Sequence, residues 1–252
     1  MDLSRAALCY AQAEYPKLNT DAYLNRLADM AEELRDRLPP TPYPLKIIQG
    51  INRYLFEELG FHGNAEDYYD PRNSYLNEVL ERRTGIPITL AVVYLELARR
   101  LSFGMVGVAL PGHFLVRPNF AGAEIFVDPF HSGEILFEQD CQLRLSQIFG
   151  QGVHLEPQWL VPASKRQILA RLLTNLKYIY LNRQQFAKTL SLVELILQIF
   201  PDQPQERRDR GLLLYHLERW AQAAQDLEFY LTRSPDARDR GAIFEILRKI
   251  QS

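Results

Sequence analysis

The chain has 252 residues, of which 47% are hydrophobic and 24% charged, and its formal net charge is −2. This composition fits a soluble globular protein of one or two domains, and the charge gives no reason to expect nucleic acid or an anionic membrane as a partner. No apolar stretch approaches the ~20 residues that cross a bilayer, and the acidic N-terminus is unlike a signal peptide. Two cysteines, Cys9 and Cys141, are too few for a disulfide scaffold, so the sequence predicts a cytoplasmic protein.

Three amphipathic helices are predicted in the first 60 residues. Apolar side chains recur at helical spacing within 2–13, 20–34 and 45–59. The proline-rich run over 39–44 cannot be helical and is predicted to be an extended connection. Turn signals at Gly-Asn and Asp-Pro dipeptides then predict a loop over 61–75.

The central segment combines two helices with a small sheet. One helix is predicted from 73 or 74 to about 84, and a strongly apolar helix follows over 87–101. Pro87 suits a first helical turn because its missing N–H would have no intrahelical partner there. The runs MVGVAL, HFLVRP and EIFVDPF then predict antiparallel strands, and GEILFEQD predicts a further strand or loop.

The last third of the chain contains a repeat. Phe-Ala at 186 recurs as Trp-Ala at 220, and Pro201 recurs as Pro235, each at a spacing of 34 residues. This is the period of the tetratricopeptide repeat, a pair of helices that ends in a proline-containing turn. We therefore predict two domains, 1–160 and 161–252, with 236–250 as a closing helix of the second.

A His and an Asp lie on neighbouring strands of the predicted sheet. His113 follows Pro111-Gly112 at the start of one strand, and Asp128 ends the next. Papain-like chemistry uses such a pair, with a Cys at a helix start, where the helix dipole lowers its pKa and N–H groups bind an oxyanion. No Cys stands at the start of the apolar helix. An equal alternative is a structural hydrogen bond that joins the two strands.

The runs NSYLNEVLERRTGIPITLAVVYLELARRL, LPGHFLV and VDPF resemble the SirB-type family of transglutaminase-like proteins. The resemblance extends upstream through LFEELGFHGNAEDYYDPRNSYLN and covers nearly the whole chain. It implies a mostly helical α+β fold, with a small antiparallel sheet in a transglutaminase/papain-like core, followed by tetratricopeptide-type helices. It also implies a Cys–His–Asp triad, in which His113 and Asp128 match the last two members and the Cys position falls on Ile88 or Thr89.

Thr89 is the favoured candidate for the third member, because it is polar and lies one turn into the helix. A Thr hydroxyl has a far higher pKa than a thiol, and the alternative is a helix-start residue that satisfies free backbone N–H groups. Cys141 is interpreted as a small buried hydrophobe at the start of another helix. The remaining predicted binding residues are neighbours of the pair in sequence or on the preceding helix: Asn77, Glu78, Pro111, Gly112 and His131.

Two functions are compatible with these residues. The missing Cys and the repeats favour a non-catalytic module that binds a protein or peptide through a cleft and its C-terminal helices. The retained His113–Asp128 pair favours an amide hydrolase or acyltransferase that uses Thr89 or an activated water. We expect no metal or other cofactor, because no His, Asp or Glu group has zinc spacing and no Gly-rich phosphate loop is present. The sequence leaves the oligomeric state open.

Overall fold

The structure is a computed structural model that describes residues 1–40, 42–120, 122–150 and 152–251. Thr41, within the predicted connection at 39–44, lies outside the described residues. The chain divides into two compact units, Met1–Leu169 and Ala170–Ser252, whereas the sequence placed the division at 160/161. Both units are mostly helical, and a small antiparallel sheet lies in the first.

The three predicted N-terminal helices are present. Asp2 and Asn19 begin the first two, because their side-chain oxygens accept backbone N–H groups three residues later (2.9 and 3.2 Å). The third is shorter than expected and continues as a π-helical segment, which closes with a wider hydrogen-bonded turn. The bounds are α1 (Leu3–Ala11), α2 (Thr20–Arg37), α3 (Pro44–Asn52) and Arg53–Glu58 for the π-helical segment.

A short parallel ladder, which the sequence did not predict, involves the residues between the two central helices. β1 (His62–Gly63) pairs with β2 (Thr84–Gly85), so the loop before the helices is tied to the residues between them. The first helix starts two or three residues later than expected, after a 3₁₀ turn, and the second is almost wholly buried. The bounds are Pro71–Ser74 for the 3₁₀ turn, α4 (Leu76–Arg82) and α5 (Pro87–Arg100).

A five-stranded antiparallel sheet follows α5 in the chain. Its strand order is β6-β5-β4-β3-β7, and α5 contacts β3 and β4 near its centre. The last strand was not predicted, because it contributes only a proline and an alanine. The strands are β3 (Met105–Val108), β4 (Leu115–Pro118), β5 (Phe126–Asp128), β6 (Glu134–Leu136) and β7 (Pro162–Ala163).

The predicted site lies where β4 begins and β5 ends, two neighbouring inner strands of the sheet. Val116 of β4 pairs with Val127 of β5 in antiparallel register. The residues just before β4 therefore lie beside the end of β5. This register brings His113 and Asp128 together, as the predicted strand order required.

Helix α6 (Glu138–Phe149) covers an apolar cluster on the sheet. Cys141 lies in the second turn of this helix, not at its start, and its side chain is fully buried. Trp159 packs against the same cluster from a later loop. The buried members of the cluster are Val108, Leu110, Leu115, Phe126, Leu136, Cys141 and Leu145.

The second unit contains the predicted helical repeats. Gln184 and Glu218, 34 residues apart, both adopt a left-handed backbone, with φ of 55° and 58°, in the turns within the two repeats. The expected closing helix over 236–250 is present as the last element. The helices are α7 (Lys165–Asn182), within which the division between the units falls, α8 (Phe186–Ile199), α9 (Pro204–His216), α10 (Trp220–Arg233) and α11 (Arg240–Gln251).

A buried carboxylate joins α9 to α10. Asp226 is fully buried on α10. Its carboxylate accepts hydrogen bonds from Arg207 (3.0 Å) and from the Nε and Nη2 atoms of Arg210. A charge without solvent is tolerated only when it is paired, and here two guanidinium groups share one carboxylate. The ion pairs therefore fix how α9 packs on α10.

A buried lysine makes the corresponding link from α7. The Lys177 ammonium contacts Glu206 at 2.8 Å and Asp209 at 2.8 Å, both on α9. Burial alone would lower the pKa of Lys177, but the two carboxylates outweigh it and raise that pKa above its ordinary value. The lysine therefore stays charged inside the unit. None of the helices that the structure describes combines the length and apolar character needed to cross a bilayer.

Candidate functional site

The His–Asp pair is formed. The Nε2 atom of His113 lies 2.8 Å from Oδ2 of Asp128, which confirms that the two side chains are within hydrogen-bond reach. Both side chains are buried. Gly112, with φ of +68°, lies in the turn that leads into β4. A Cβ atom added to it would meet the side chains of Ile148 and Phe149 at the end of α6. The predicted binding residues Pro111 and Gly112 are thus part of the turn that positions His113.

Asp128 accepts more than one hydrogen bond. Its Oδ2 atom also lies 2.8 Å from Nδ1 of His131, and its Oδ1 atom accepts the backbone N–H groups of Phe130 (3.1 Å) and His131 (3.4 Å). Arg144 of α6 lies 3.4 Å from Oδ2. Burial would raise the pKa of Asp128, but the hydrogen bonds from His113 and His131 outweigh it and hold that pKa well below its ordinary value. Asp128 is therefore a carboxylate at neutral pH.

His131 is the member of this cluster that solvent reaches. It ends the 3₁₀ turn Pro129–His131, which α5 contacts, and 41% of its side chain is exposed. One nitrogen each of His113 and His131 and one oxygen of Asp128 all lie within 4.8 Å of one another. The sequence predicted all three as site residues but not as metal ligands, because they lack the spacing of a known metal motif.

The turn that carries His131 is held by residues that sequence reasoning missed. Gly63 of β1 lies so close to Phe130 that an added Cβ would meet its carbonyl oxygen at 2.6 Å. Gly133, with φ of +76°, donates its N–H to the carbonyl of Asp128 (2.9 Å), and Asn52 donates to the carbonyl of Gly133 (2.7 Å). In the sequence, the Gly-Asn dipeptide at 63 predicts a turn but does not indicate these contacts.

Thr89 is engaged with the backbone at the start of α5. Its Oγ1 atom accepts the N–H of Ile86 (3.0 Å) and lies within hydrogen-bond distance of the carbonyls of Asn73 (2.8 Å) and Ile86 (3.0 Å). Its one proton serves one of these carbonyls, and the residue is 1% exposed. Thr89 therefore has the geometry of a helix-start residue that satisfies a free backbone N–H group. Ile88, the other candidate for the Cys position, is also buried.

Replacing Thr89 with Ala is expected to lower the free energy of unfolding of the first unit by about 1 to 2 kcal/mol, because the Ile86 N–H loses its acceptor. Thr89→Ser keeps the hydroxyl and is expected to retain most of that stability. Urea unfolding of the two variants measures the difference. Equal losses in both variants would show that the methyl group, not the hydrogen bond, matters.

Asn77 and Glu78 lie on a separate element, α4. Asn77 is buried, and its Oδ1 atom has no hydrogen-bond partner among the described residues. Glu78 is half-buried in the first turn of the same helix. Their role in binding stays a prediction.

Cys141 is not a substitute for the missing thiol. Burial in the apolar cluster under α6 raises the pKa of its thiol to about 12. A thiol with so high a pKa is not a nucleophile at neutral pH, so Cys141 acts as the small hydrophobe that the sequence suggested.

Comparisons with known proteins agree with the fold of both units. Residues 21–174 match the model of the transglutaminase-like superfamily, and residues 176–248 match a tetratricopeptide-repeat model. A UPF0162 protein of Xylella fastidiosa is 40% identical over 239 residues, which cover 93% of this chain and 85% of that protein. A UPF0162 protein of Vibrio cholerae is 30% identical over 237 residues, which cover 94% and 87%.

Part of the chain is also similar to a larger protein. Human F-box only protein 21 is 30% identical over 187 residues, which cover 69% of this chain and 29% of that protein. The match therefore concerns one portion of a longer relative. From the superfamily model and the high coverage of its bacterial relatives, this chain belongs to the transglutaminase-like superfamily and, within it, to the family of UPF0162 proteins.

Proposed function

We propose that this protein is a non-catalytic binding module, which docks a protein or peptide partner through its tetratricopeptide-type helices. The observation that carries the proposal is the state of Thr89, whose hydroxyl is committed to the backbone at the start of α5. A nucleophile must be accessible and activated by a base, and a buried hydroxyl bonded to carbonyls satisfies neither condition. Cys141, with its raised pKa, does not replace it.

A groove on the second unit supports binding. It lies along α10 and α11 and encloses about 570 Å³. Phe244 is 47% exposed there, and the guanidinium of Arg240 lies 4.9 Å from the centre of its ring. Leu231 and Leu247 form the apolar part of the lining. An apolar side chain of a partner would pack on Phe244, and Arg240 would favour an acidic group beside it.

The first test asks whether the protein turns over any substrate. The full chain is incubated with a panel of amide, ester and peptide probes, beside His113→Ala and a His154→Ala control at an exposed position. We expect no turnover above buffer from any of the three proteins. Turnover that His154→Ala keeps and His113→Ala loses would overturn the proposal.

That opposite outcome would establish the alternative, an amide hydrolase or acyltransferase. One observation favours it: the 2.8 Å contact with Asp128 orients the His113 ring, as a general base requires. With Thr89 committed to the backbone, a water activated by His113 would then be the nucleophile.

The second test concerns the groove. Proteins that co-purify with the full chain from its own cells are quantified for the wild type, Phe244→Ala and Leu143→Ala. Leu143 is an apolar residue of the first unit that is also exposed, 60% against 47% for Phe244. We expect Phe244→Ala to lower recovery of a specific partner by about tenfold or more, as loss of an aromatic anchor does. Equal recovery with both variants would remove the groove from the proposal.

A further inference from the structure

We propose that His113, Asp128 and His131 bind a divalent transition-metal ion of the Zn²⁺ class. The candidate ligand atoms are Nε2 of His113 and Nδ1 of His131, each 2.8 Å from Oδ2 of Asp128. One ligand atom from each of the three residues lies within 4.8 Å of the others. Two imidazole nitrogens and one carboxylate oxygen are donors that suit Zn²⁺, Co²⁺ or Fe²⁺ better than Mg²⁺ or Ca²⁺, which prefer oxygen alone. This inference goes beyond the proposed function, because metal binding requires neither a partner nor turnover.

Only a small rearrangement is needed to admit the ion. Both nitrogens already lie 2.8 Å from the same oxygen. A tetrahedral Zn²⁺ with bonds of about 2.0 to 2.1 Å separates its ligand atoms by roughly 3.3 Å. Each imidazole therefore moves back by about half an ångström as the metal replaces the two hydrogen bonds. The ring proton of each His moves to its other nitrogen, so both ligands stay neutral.

The surroundings of the three ligands resemble those of an open metal site. The second oxygen of Asp128 is held by the backbone N–H groups of Phe130 and His131, which fixes the carboxylate before a metal arrives. His113 and Asp128 are buried, whereas His131 is exposed. An ion would therefore enter from the His131 side and keep at least one position for water or an added ligand, as sites with three protein ligands do.

Arg144 provides a test that distinguishes a metal site from a hydrogen-bonded cluster. Its Nη2 atom lies 3.4 Å from Oδ2 of Asp128 and 2.7 Å from Glu134. A positive charge there opposes a bound cation, and Glu134 offsets it in part. Arg144→Gln is therefore expected to tighten metal binding.

The experiment titrates untagged, chelator-treated full chain with Co²⁺ and follows the visible absorption of the ion, with Zn²⁺ as competitor. For the wild type we expect saturation at one equivalent and displacement by Zn²⁺. His131→Ala is expected to weaken binding by at least about 10- to 100-fold, since a ligand is lost. Arg144→Gln is expected to strengthen it several-fold, and His154→Ala, at an exposed position, to leave it unchanged.

Other outcomes would overturn the metal site. These are no spectral change in the wild type up to millimolar Co²⁺, or equal binding by the wild type and His131→Ala. Weaker binding in Arg144→Gln would also count against it, because the arginine would then be supporting the site rather than opposing the ion. Circular dichroism and thermal unfolding of each variant show that the fold is retained, which the exposure of His131 favours.

Discussion

Replacing Asp128 with Ala is expected to lower the free energy of unfolding of the first unit by about 3 to 5 kcal/mol. The carboxylate is fully buried and accepts from His113, His131 and two backbone N–H groups, beside the charge of Arg144. Its removal leaves these donors without an acceptor, and each buried unsatisfied group costs about 1 to 3 kcal/mol. The loss is therefore larger than for any exposed acidic residue of this unit.

The two tryptophans allow each unit to be followed separately. In a Trp220→Phe background, Trp159 is the only tryptophan, and it packs on the apolar cluster under α6. Urea unfolding followed by its fluorescence reports the first unit. Glu124→Ala, at an exposed position, is the control and is expected to change stability by no more than about 0.5 kcal/mol. A loss below about 1 kcal/mol in Asp128→Ala would show that the hydrogen bonds to Asp128 contribute little net stability.

Asp226→Ala is expected to destabilise the second unit by about 2 to 4 kcal/mol. The carboxylate is fully buried between α9 and α10, and its loss leaves Arg207 and Arg210 without their partner. About a quarter of each arginine side chain is exposed, so solvent recovers part of the cost and the expected loss lies below that of a wholly buried pair.

Trp220 reports this unit in a Trp159→Phe background, since it begins α10. The matched control is Glu228→Ala, an exposed acidic residue two positions further along the same helix. A shift in urea midpoint confined to Asp226→Ala supports the argument. Equal shifts in the two variants would indicate that α10 loses stability when any of its acidic residues is removed, and that the buried ion pairs are not the cause.

The sequence predicted the elements that depend on periodicity. The apolar run of α5, the strand that follows His113, the strand that ends at Asp128, and the 34-residue repeat all follow from side chains that recur at regular spacing. The adjacency of His113 and Asp128 then follows from the antiparallel order of consecutive strands. The mostly helical fold with a small antiparallel sheet follows from the same patterns, whereas the transglutaminase-like core was implied by the resemblance of the central motifs to that family.

Contacts between segments distant in the chain were not predictable. β1 and β2 contribute two residues each, too few for any pattern, yet they hold Gly63 against the turn that ends in His131. Arg144 reaches Asp128 from α6, whose start the sequence placed three residues too late, at Cys141. The role of Thr89 depends on the carbonyl of Asn73, which only the folded chain brings to it.

Two histidines share one oxygen of Asp128 as their hydrogen-bond partner. Since His113 and His131 both contact Oδ2, a change at either one alters the acceptor that the other uses. The effects of substitutions at the two positions are therefore expected to be non-additive. Selection on one histidine acts through this oxygen on the other, so the pair is expected to vary together among related sequences.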